Sequence, residues 1–172
     1  FSIIEPQSAA EGEHLSQLTD SLRSSYINAL ENSGEKWAVA AMDLKNRDYS
    51  TINADQTMKS ASVIKAFIMG AVYENLVYPD GSDSPSAEYQ NSLQSLLTSM
   101  ITVSDNDASN ELVRRLGNGD FSAGAAVVNS FCQQHGYTST HLGREFLAQN
   151  PTDDNYVSAS DCCRILSDIY NG

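Results

Sequence analysis

The sequence predicts a mainly α-helical domain that carries one short N-terminal β-hairpin. Apolar residues recur at helical spacing through most of the chain, whereas only one pair of neighbouring segments has the composition of strands. The chain has 172 residues, of which 41% are apolar, so it is long enough to bury a core. We expect residues 1–12 to form an extended arm and residues 13–172 to form the domain.

The first elements are a helix and a hairpin. A helix is expected over residues 13–31, where apolar side chains share one face. Residues 37–44 (WAVAAMDL) are typical of a buried strand, and after a turn residues 49–52 begin a return strand. The apolar positions of the first helix are Leu15, Leu18, Leu22, Tyr26 and Leu30.

Further helices follow the hairpin, with polar or glycine-containing stops between them. A loop is expected over residues 137–156, which lack periodicity and include Pro151. Loops of this length in compact domains are usually functional. Nothing after the hairpin has the pattern of a strand. The predicted helices span residues 63–78, 89–101, 108–116, 121–135 and, after a Ser158 cap, 159–170.

The charge of the chain argues against several kinds of partner. The sequence contains 10 Lys and Arg residues against 22 Asp and Glu residues, a net charge of −12. A basic patch that could release counterions is lacking, so we expect neither nucleic acid nor an anionic membrane surface as a partner. No apolar run approaches the roughly 20 residues of a membrane-spanning helix. We expect no cofactor and no metal, because His14, His135 and His141 lack ligand spacing.

The helix after Ser62 combines a hydroxyl with a cation in an apolar run. A helix that is apolar nearly all round is buried, and Lys65 lies inside it, one turn after Ser62 and on the same face. Burial lowers the pKa of a lysine, and a neutral lysine can take the proton of a serine hydroxyl. Alternatively, Ser62 is a helix N-cap and Lys65 extends its amine to solvent.

A second motif, Ser104-Asp105-Asn106, lies between two later helices and follows the Ser-x-x-Lys motif in order. Together the motifs resemble the penicillin-recognising serine hydrolases, most closely the class A β-lactamases. The resemblance covers roughly residues 15–172, which correspond to the hairpin and helical part of that fold. An N-cap cluster would explain only one residue of the second motif well.

The resemblance implies a role for each motif residue. Ser62 would be the acylated nucleophile, and Lys65 would be its proton partner. Ser104 would relay a proton to the departing lactam nitrogen, and Asn106 would hold the side-chain amide of the substrate. A hydroxyl and an amide suit these roles because each both donates and accepts hydrogen bonds.

The long loop departs from the family pattern, in which a glutamate two residues after an arginine activates the deacylating water. Arg144 and Asn150 keep the family separation, so Asn150 is a candidate substrate-binding residue. Phe146 stands at the position of the glutamate. Glu145, one residue earlier, is a candidate catalytic residue if the loop is remodelled. Arg144 is alternatively an ion-pair partner.

Two further departures concern the extent of the fold. The segment between Lys65 and Ser104 is short for the family, so part of the wall of the site is reduced. The Lys-Thr-Gly strand, which supplies a cation for the substrate carboxylate and an oxyanion donor, does not occur before Gly172. We expect the sequence to be the N-terminal portion of a longer or nicked protein. The missing half, with its sheet strands, would then be its partner, and this piece alone would be inactive.

The resemblance implies an exported or envelope-associated serine hydrolase that opens β-lactams through an acyl-enzyme at Ser62, with slow deacylation. One alternative is a D-Ala-D-Ala peptidase or penicillin-binding protein that acts on a peptidoglycan-like acyl peptide. Another is a binding module that keeps the motifs without catalysis. The chain has three cysteines, Cys132, Cys162 and Cys163. Either all three are buried thiols, or Cys132 forms a disulfide bond with Cys162 or Cys163.

Overall fold

The computed structural model describes residues 13–172, so the predicted arm over residues 1–12 lies outside the described part. Contacts divide the chain into two units. One unit contains the described residues up to Gln56 together with Ser158–Gly172, and the other contains Thr57–Val157. Among the helices of residues 13–172, none combines the length and apolar character that crossing a membrane requires.

The described part of the first unit contains two helices and a hairpin. Helix α1 runs through three consecutive segments, Glu13–Leu22, Arg23–Ile27 and Asn28–Asn32, of which the middle one is a π-helical turn. Strands β1 (Val39–Met42) and β2 (Tyr49–Ile52) pair antiparallel, as the sequence predicts. The Thr19 hydroxyl of α1 lies 2.7 Å from the Ser50 hydroxyl of β2, which ties the helix to the hairpin.

The last helix of the chain belongs to this first unit and contacts β1. This helix spans Ala159–Asn171, and the Ser158 side chain caps it by accepting a hydrogen bond from the Asp161 N–H, as predicted. Cys162 and Cys163 on this helix are free thiols, so neither alternative bridge to Cys132 is formed. Burial raises the pKa of the Cys162 thiol to about 11.

The second unit is built around the helix that carries Lys65. Helix α2 comprises a 3₁₀ turn, an α-helical segment and a π-helical turn, and it contacts each of the next three helices. Phe67, Ile68 and Val72 of α2 are fully buried. The helices are α2 (Ala61–Ile64, Lys65–Val72 and Tyr73–Val77), α3 (Tyr89–Leu93 and Gln94–Thr102), α4 (Asn106–Leu116) and α5 (Phe121–Gln134), and the helix of the first unit is α6 (Ala159–Asn171).

The mainly helical class with a hairpin is confirmed, but one expectation about strands is wrong. Strand β3 (Met58–Lys59) pairs antiparallel with β4 (Tyr156–Val157), just before α2 and just after the long loop. Two residues are too few to show the alternation that reveals a strand in a sequence. This pairing brings the end of the loop beside the start of α2 and thereby positions the candidate site.

The close contact between α4 and α5 predicts a stability effect. A Cβ added at Gly124 of α5 would collide with the backbone carbonyl of Val113, and a backbone cannot move aside as a side chain can. We expect Gly124→Ala to lower the free energy of unfolding by about 3 kcal/mol, measured by urea denaturation. Gly70→Ala is the comparison variant, since its Cβ would meet the Phe131 side chain at 2.6 Å and no backbone atom. An equal decrease in the free energy of unfolding for both variants would contradict this prediction.

Candidate active site

Ser62 lies on a strained turn where β3 passes into α2. Ala61, the residue before it, has φ = +45°, a left-handed conformation that costs an L-amino acid free energy. The Ser60 N–H donates to the Asn155 carbonyl at 2.9 Å and fixes this turn to the end of the loop. The Ser62 side chain is exposed at the beginning of the helix.

The Lys65 amine is buried and fully hydrogen-bonded. Lys65 is only 3% exposed, so the alternative in which its amine reaches solvent is wrong. Its Nζ donates to the Ser104 carbonyl at 2.6 Å, to Ser104 Oγ at 3.0 Å and to Asn106 Oδ1 at 2.8 Å. These three acceptors use all the donors of an ammonium group. Within the described residues, the Ser62 hydroxyl forms no hydrogen bond with Lys65.

Two neighbouring influences act on the pKa of Lys65 in opposite directions. Burial lowers the pKa of Lys65, and the negative charge of Asp105 opposes that shift. Asp105 itself is the N-cap of α4 and accepts hydrogen bonds from the backbone of Ala108 at 3.0 Å and from the Ser99 hydroxyl at 2.9 Å. These bonds lower the pKa of Asp105. The capping role thus falls to Asp105, while the residues on either side of it contact Lys65.

Ser62 and Asn106 line a common cavity of about 760 Å³ within the second unit. The long loop forms much of its wall, and β3 contributes Lys59. The cavity therefore brings the exposed Ser62 hydroxyl together with Asn106, one of the two residues that accept hydrogen bonds from Lys65. The remaining lining residues are Ala61, Arg144, Phe146, Leu147, Ala148, Gln149, Pro151, Asp154 and Asn155.

Phe146 enters the site at the position that the family assigns to a glutamate. Its ring centroid lies 4.7 Å from Lys65 Nζ, a cation–π geometry, and the residue lines the cavity. The Asn110 side chain fixes its backbone by accepting from the Phe146 N–H at 2.9 Å and donating to its carbonyl at 3.2 Å. Asn110 has no assigned role in the sequence analysis, although it lies one helical turn after Asn106.

The structure does not bring the two remaining candidate residues into the cavity. The Glu145 carboxylate accepts a hydrogen bond from Arg114 at 2.7 Å, and Glu145 is not among the residues that line the cavity. Asn150 is exposed and likewise does not line it. Successive residues of the loop point in different directions, so the apolar Phe146 is buried while Glu145 remains with its ion-pair partner.

A buried asparagine near the end of the loop closes the loop on itself. Asn155 Oδ1 accepts hydrogen bonds from the Gly143 N–H at 2.9 Å and from the Arg144 N–H at 3.0 Å. The Arg144 side chain donates to Asp154 at 2.8 Å, which is the ion-pair role considered as an alternative. These contacts hold the cavity wall in place. No group of three or more His, Cys, Asp or Glu side chains within the described residues is arranged to hold a metal ion.

The fold is that of a β-lactamase-like serine hydrolase. A family model described as a beta-lactamase enzyme family matches residues 22–78 and 79–172. The chain belongs to that family, and the predicted resemblance to the penicillin-recognising serine hydrolases is confirmed.

Solved structures share the fold at low sequence identity. Penicillin-binding protein D2 from Listeria monocytogenes in its cefotaxime-bound form is 21% identical with a TM-score of 0.57, and 78% of this chain covers 61% of that one. Its ampicillin-bound form is 20% identical with a TM-score of 0.60, and 78% of this chain covers 61% of that one. A class A β-lactamase representing the last common ancestor of Gram-negative bacteria is 22% identical with a TM-score of 0.62. In that comparison 85% of this chain covers 62% of the other. The chain thus spans about three fifths of the length of these structures, and no curated protein sequence matches it.

Proposed function

We propose that the protein carrying this chain opens β-lactams by forming an acyl-enzyme at Ser62. The observation that supports this most strongly is the buried Lys65 amine, which contacts Ser104 and Asn106 beside the cavity that Ser62 lines. Penicillin-binding protein D2, which has a similar fold, has been solved in cefotaxime-bound and ampicillin-bound forms, and this supports a β-lactam as the substrate class. Like the activity, an exported or envelope location is part of the proposal.

The proposed acylation moves one proton along three groups. In this proposal the Ser62 hydroxyl turns toward Lys65 when substrate binds, the neutral amine takes its proton, and Ser62 Oγ attacks the lactam carbonyl carbon. The ring carbon–nitrogen bond then breaks, and Ser104 gives its hydroxyl proton to the departing nitrogen. Lys65 restores that proton across the 3.0 Å contact with Ser104 Oγ. The products are an ester at Ser62 and a protonated ring nitrogen, so atoms and charge balance.

Asn106 is proposed to orient the substrate. Its Oδ1 accepts from Lys65 at 2.8 Å, which leaves the Nδ2 group as a donor. A carbonyl oxygen in the acyl side chain of the substrate is the matching acceptor. The lysine therefore both activates the serine and sets the orientation of the amide.

Deacylation is proposed to be slow, because the cavity lacks a free carboxylate that could activate water. The Phe146 ring occupies the space beside Lys65, and Glu145 is bound to Arg114. Among the described lining residues Asp154 is the only acidic one, and it is paired with Lys59 and Arg144. The acyl-enzyme is consequently expected to persist.

A second candidate is a D-Ala-D-Ala peptidase or transpeptidase, which uses the same nucleophile. The position of Phe146 favours it, because that chemistry does not need the loop glutamate. Comparing turnover of benzylpenicillin with turnover of an acyl-D-Ala-D-Ala peptide separates the two functions. Faster release of D-alanine than of penicilloate would favour the peptidase.

The proposed acyl-enzyme can be tested with a fluorescent penicillin. We expect a covalent label on the protein, located by peptide mass spectrometry at Ser62, and complete loss of that label in Ser62→Ala. Ser122→Ala, which removes an exposed hydroxyl from α5, is the matched control and should keep the label. Labelling that persists in Ser62→Ala, or that maps to another residue, would contradict the proposal.

A further inference from the structure

The cavity wall carries a charged cluster that the proposed chemistry does not use. Lys59 Nζ lies 2.9 Å from Asp154 Oδ2, and Arg144 Nε lies 2.8 Å from Asp154 Oδ1. All three residues line the same cavity as Ser62. The hydrogen bond from Lys59, with those from the Asn155 backbone and Arg144, lowers the pKa of Asp154, so the carboxyl is ionised near neutral pH. Among the residues that line the cavity, Lys59 and Arg144 are the cations and Asp154 is the anion.

Both cations keep hydrogen-bond donors that Asp154 does not use. The Lys59 side chain is 77% exposed, and Asp154 occupies only one of the three N–H groups of its ammonium. Arg144 donates through Nε to Asp154 and through Nη1 to the Glu145 carbonyl at 3.1 Å. Within the described residues its Nη2 has no partner. Both oxygens of Asp154 are already occupied, so the cluster can accept a further anion.

The location of the cluster indicates which part of a substrate it would meet. Under the proposed function, Asn106 holds the amide of the acyl side chain, which directs that side chain into the cavity. The loop that carries Arg144 and Asp154 forms the wall there, and Lys59 on β3 faces the same space. In a chain with a net charge of −12, the two cations that line this wall are the groups there that would attract an anionic part of a substrate.

Building on the proposed function, we propose that Lys59 and Arg144 form a subsite for a carboxylate on the acyl side chain of the substrate. The preferred substrate class is then an acylated amide whose side chain ends in or bears a carboxylate. Charge-assisted hydrogen bonds from an ammonium and a guanidinium to a carboxylate are stronger than neutral ones and fix the position of the side chain. The subsite adds specificity and leaves the chemistry at Ser62 unchanged.

Carbenicillin and benzylpenicillin test this subsite, because they differ only by a carboxylate on the acyl side chain. The measured quantity is the ratio of their second-order rate constants for acylation of Ser62. We expect Lys59→Gln to lower the carbenicillin-to-benzylpenicillin ratio by about three- to tenfold, as the loss of a partly screened charge-assisted hydrogen bond predicts. High salt should lower the same ratio in the unaltered protein.

Two control variants separate specific recognition from a general effect of charge or loop order. Lys59→Arg keeps the charge and should keep the ratio. Lys45→Gln removes the same charge from the exposed β1–β2 turn, does not line the cavity and should leave the ratio unchanged. Equal loss for both penicillins in Lys59→Gln would assign the cluster a purely structural role and overturn the proposal.

Binding of ligands that lack a lactam ring tests the subsite separately from acylation at Ser62. Phenylmalonic acid monoamide and phenylacetamide reproduce the two acyl side chains without a lactam ring, and only the first carries a carboxylate. We expect the monoamide to shift the backbone amide resonances of residues 59–62 and 144–155 more than phenylacetamide does, and Lys59→Gln to abolish the difference. Absence of acylation with this preference intact would refute only the proposed function. Acylation without any preference would refute only the subsite.

Discussion

Replacing Lys65 by methionine is expected to slow acylation by a β-lactam by about 10³-fold, within the range of general acid–base catalysis. The amine is 3% exposed and contacts Ser104 and Asn106 with three hydrogen bonds. Methionine keeps the length of the side chain but can neither take the Ser62 proton nor return one to Ser104. Stopped-flow acylation with a chromogenic cephalosporin measures the change.

The pH dependence of the acylation rate provides a second test of the role of the Lys65 amine. Acylation requires the neutral amine, so the rate in the unaltered protein should rise with pH as Lys65 loses its proton. Because burial lowers the pKa of Lys65, the midpoint should lie below about 10.4, the value of an exposed lysine. Lys65→Met should lack this rising limb. Lys45→Met is the matched control, and an unchanged rate in folded Lys65→Met would refute the role of the amine.

Replacing Phe146 by glutamate is expected to shorten the lifetime of the acyl-enzyme by about 10²-fold or more, the effect of a positioned general base. The Asn110 side chain holds the backbone of this residue with two hydrogen bonds, so the new carboxylate would enter where the ring now lies, 4.7 Å from Lys65 Nζ. An ion pair with Lys65 would offset part of the cost of burying the charge. Release of fluorescent penicilloate measures the lifetime.

Phe146→Gln is the control for this change, because an amide of similar size cannot take a proton from water. We expect it to leave the acyl-enzyme long-lived. Glu145→Gln tests the alternative base, and its lifetime should equal that of the unaltered protein, because Glu145 is paired with Arg114. Faster turnover in Phe146→Gln, or a longer lifetime in Glu145→Gln, would contradict the proposed cause of slow deacylation.

Much of the fold could be predicted from local patterns in the sequence. The hairpin, the Ser158 cap and the helices around Lys65 follow from periodicity and capping, which involve residues close together in the chain. The ordered Ser-x-x-Lys and Ser-Asp-Asn motifs predicted that Lys65, Ser104 and Asn106 would meet. The structure joins them by hydrogen bonds across 39 and 41 positions.

The loop could not be predicted in the same way. It has no period, so the sequence did not determine that Phe146 enters the cavity while Glu145 binds Arg114. That choice depends on Asn110, which lies 36 residues earlier and fixes the loop backbone.

By itself, the sequence determined the helices and the two ordered motifs that indicate the site, because local spacing and motif order encode both. Only the tertiary structure decided which side chains of the loop line the cavity, and that Lys59 and Arg144 share Asp154 there. The physical reason is that burial and ion pairing act between segments far apart in the chain. No local pattern records which partner a loop side chain will find.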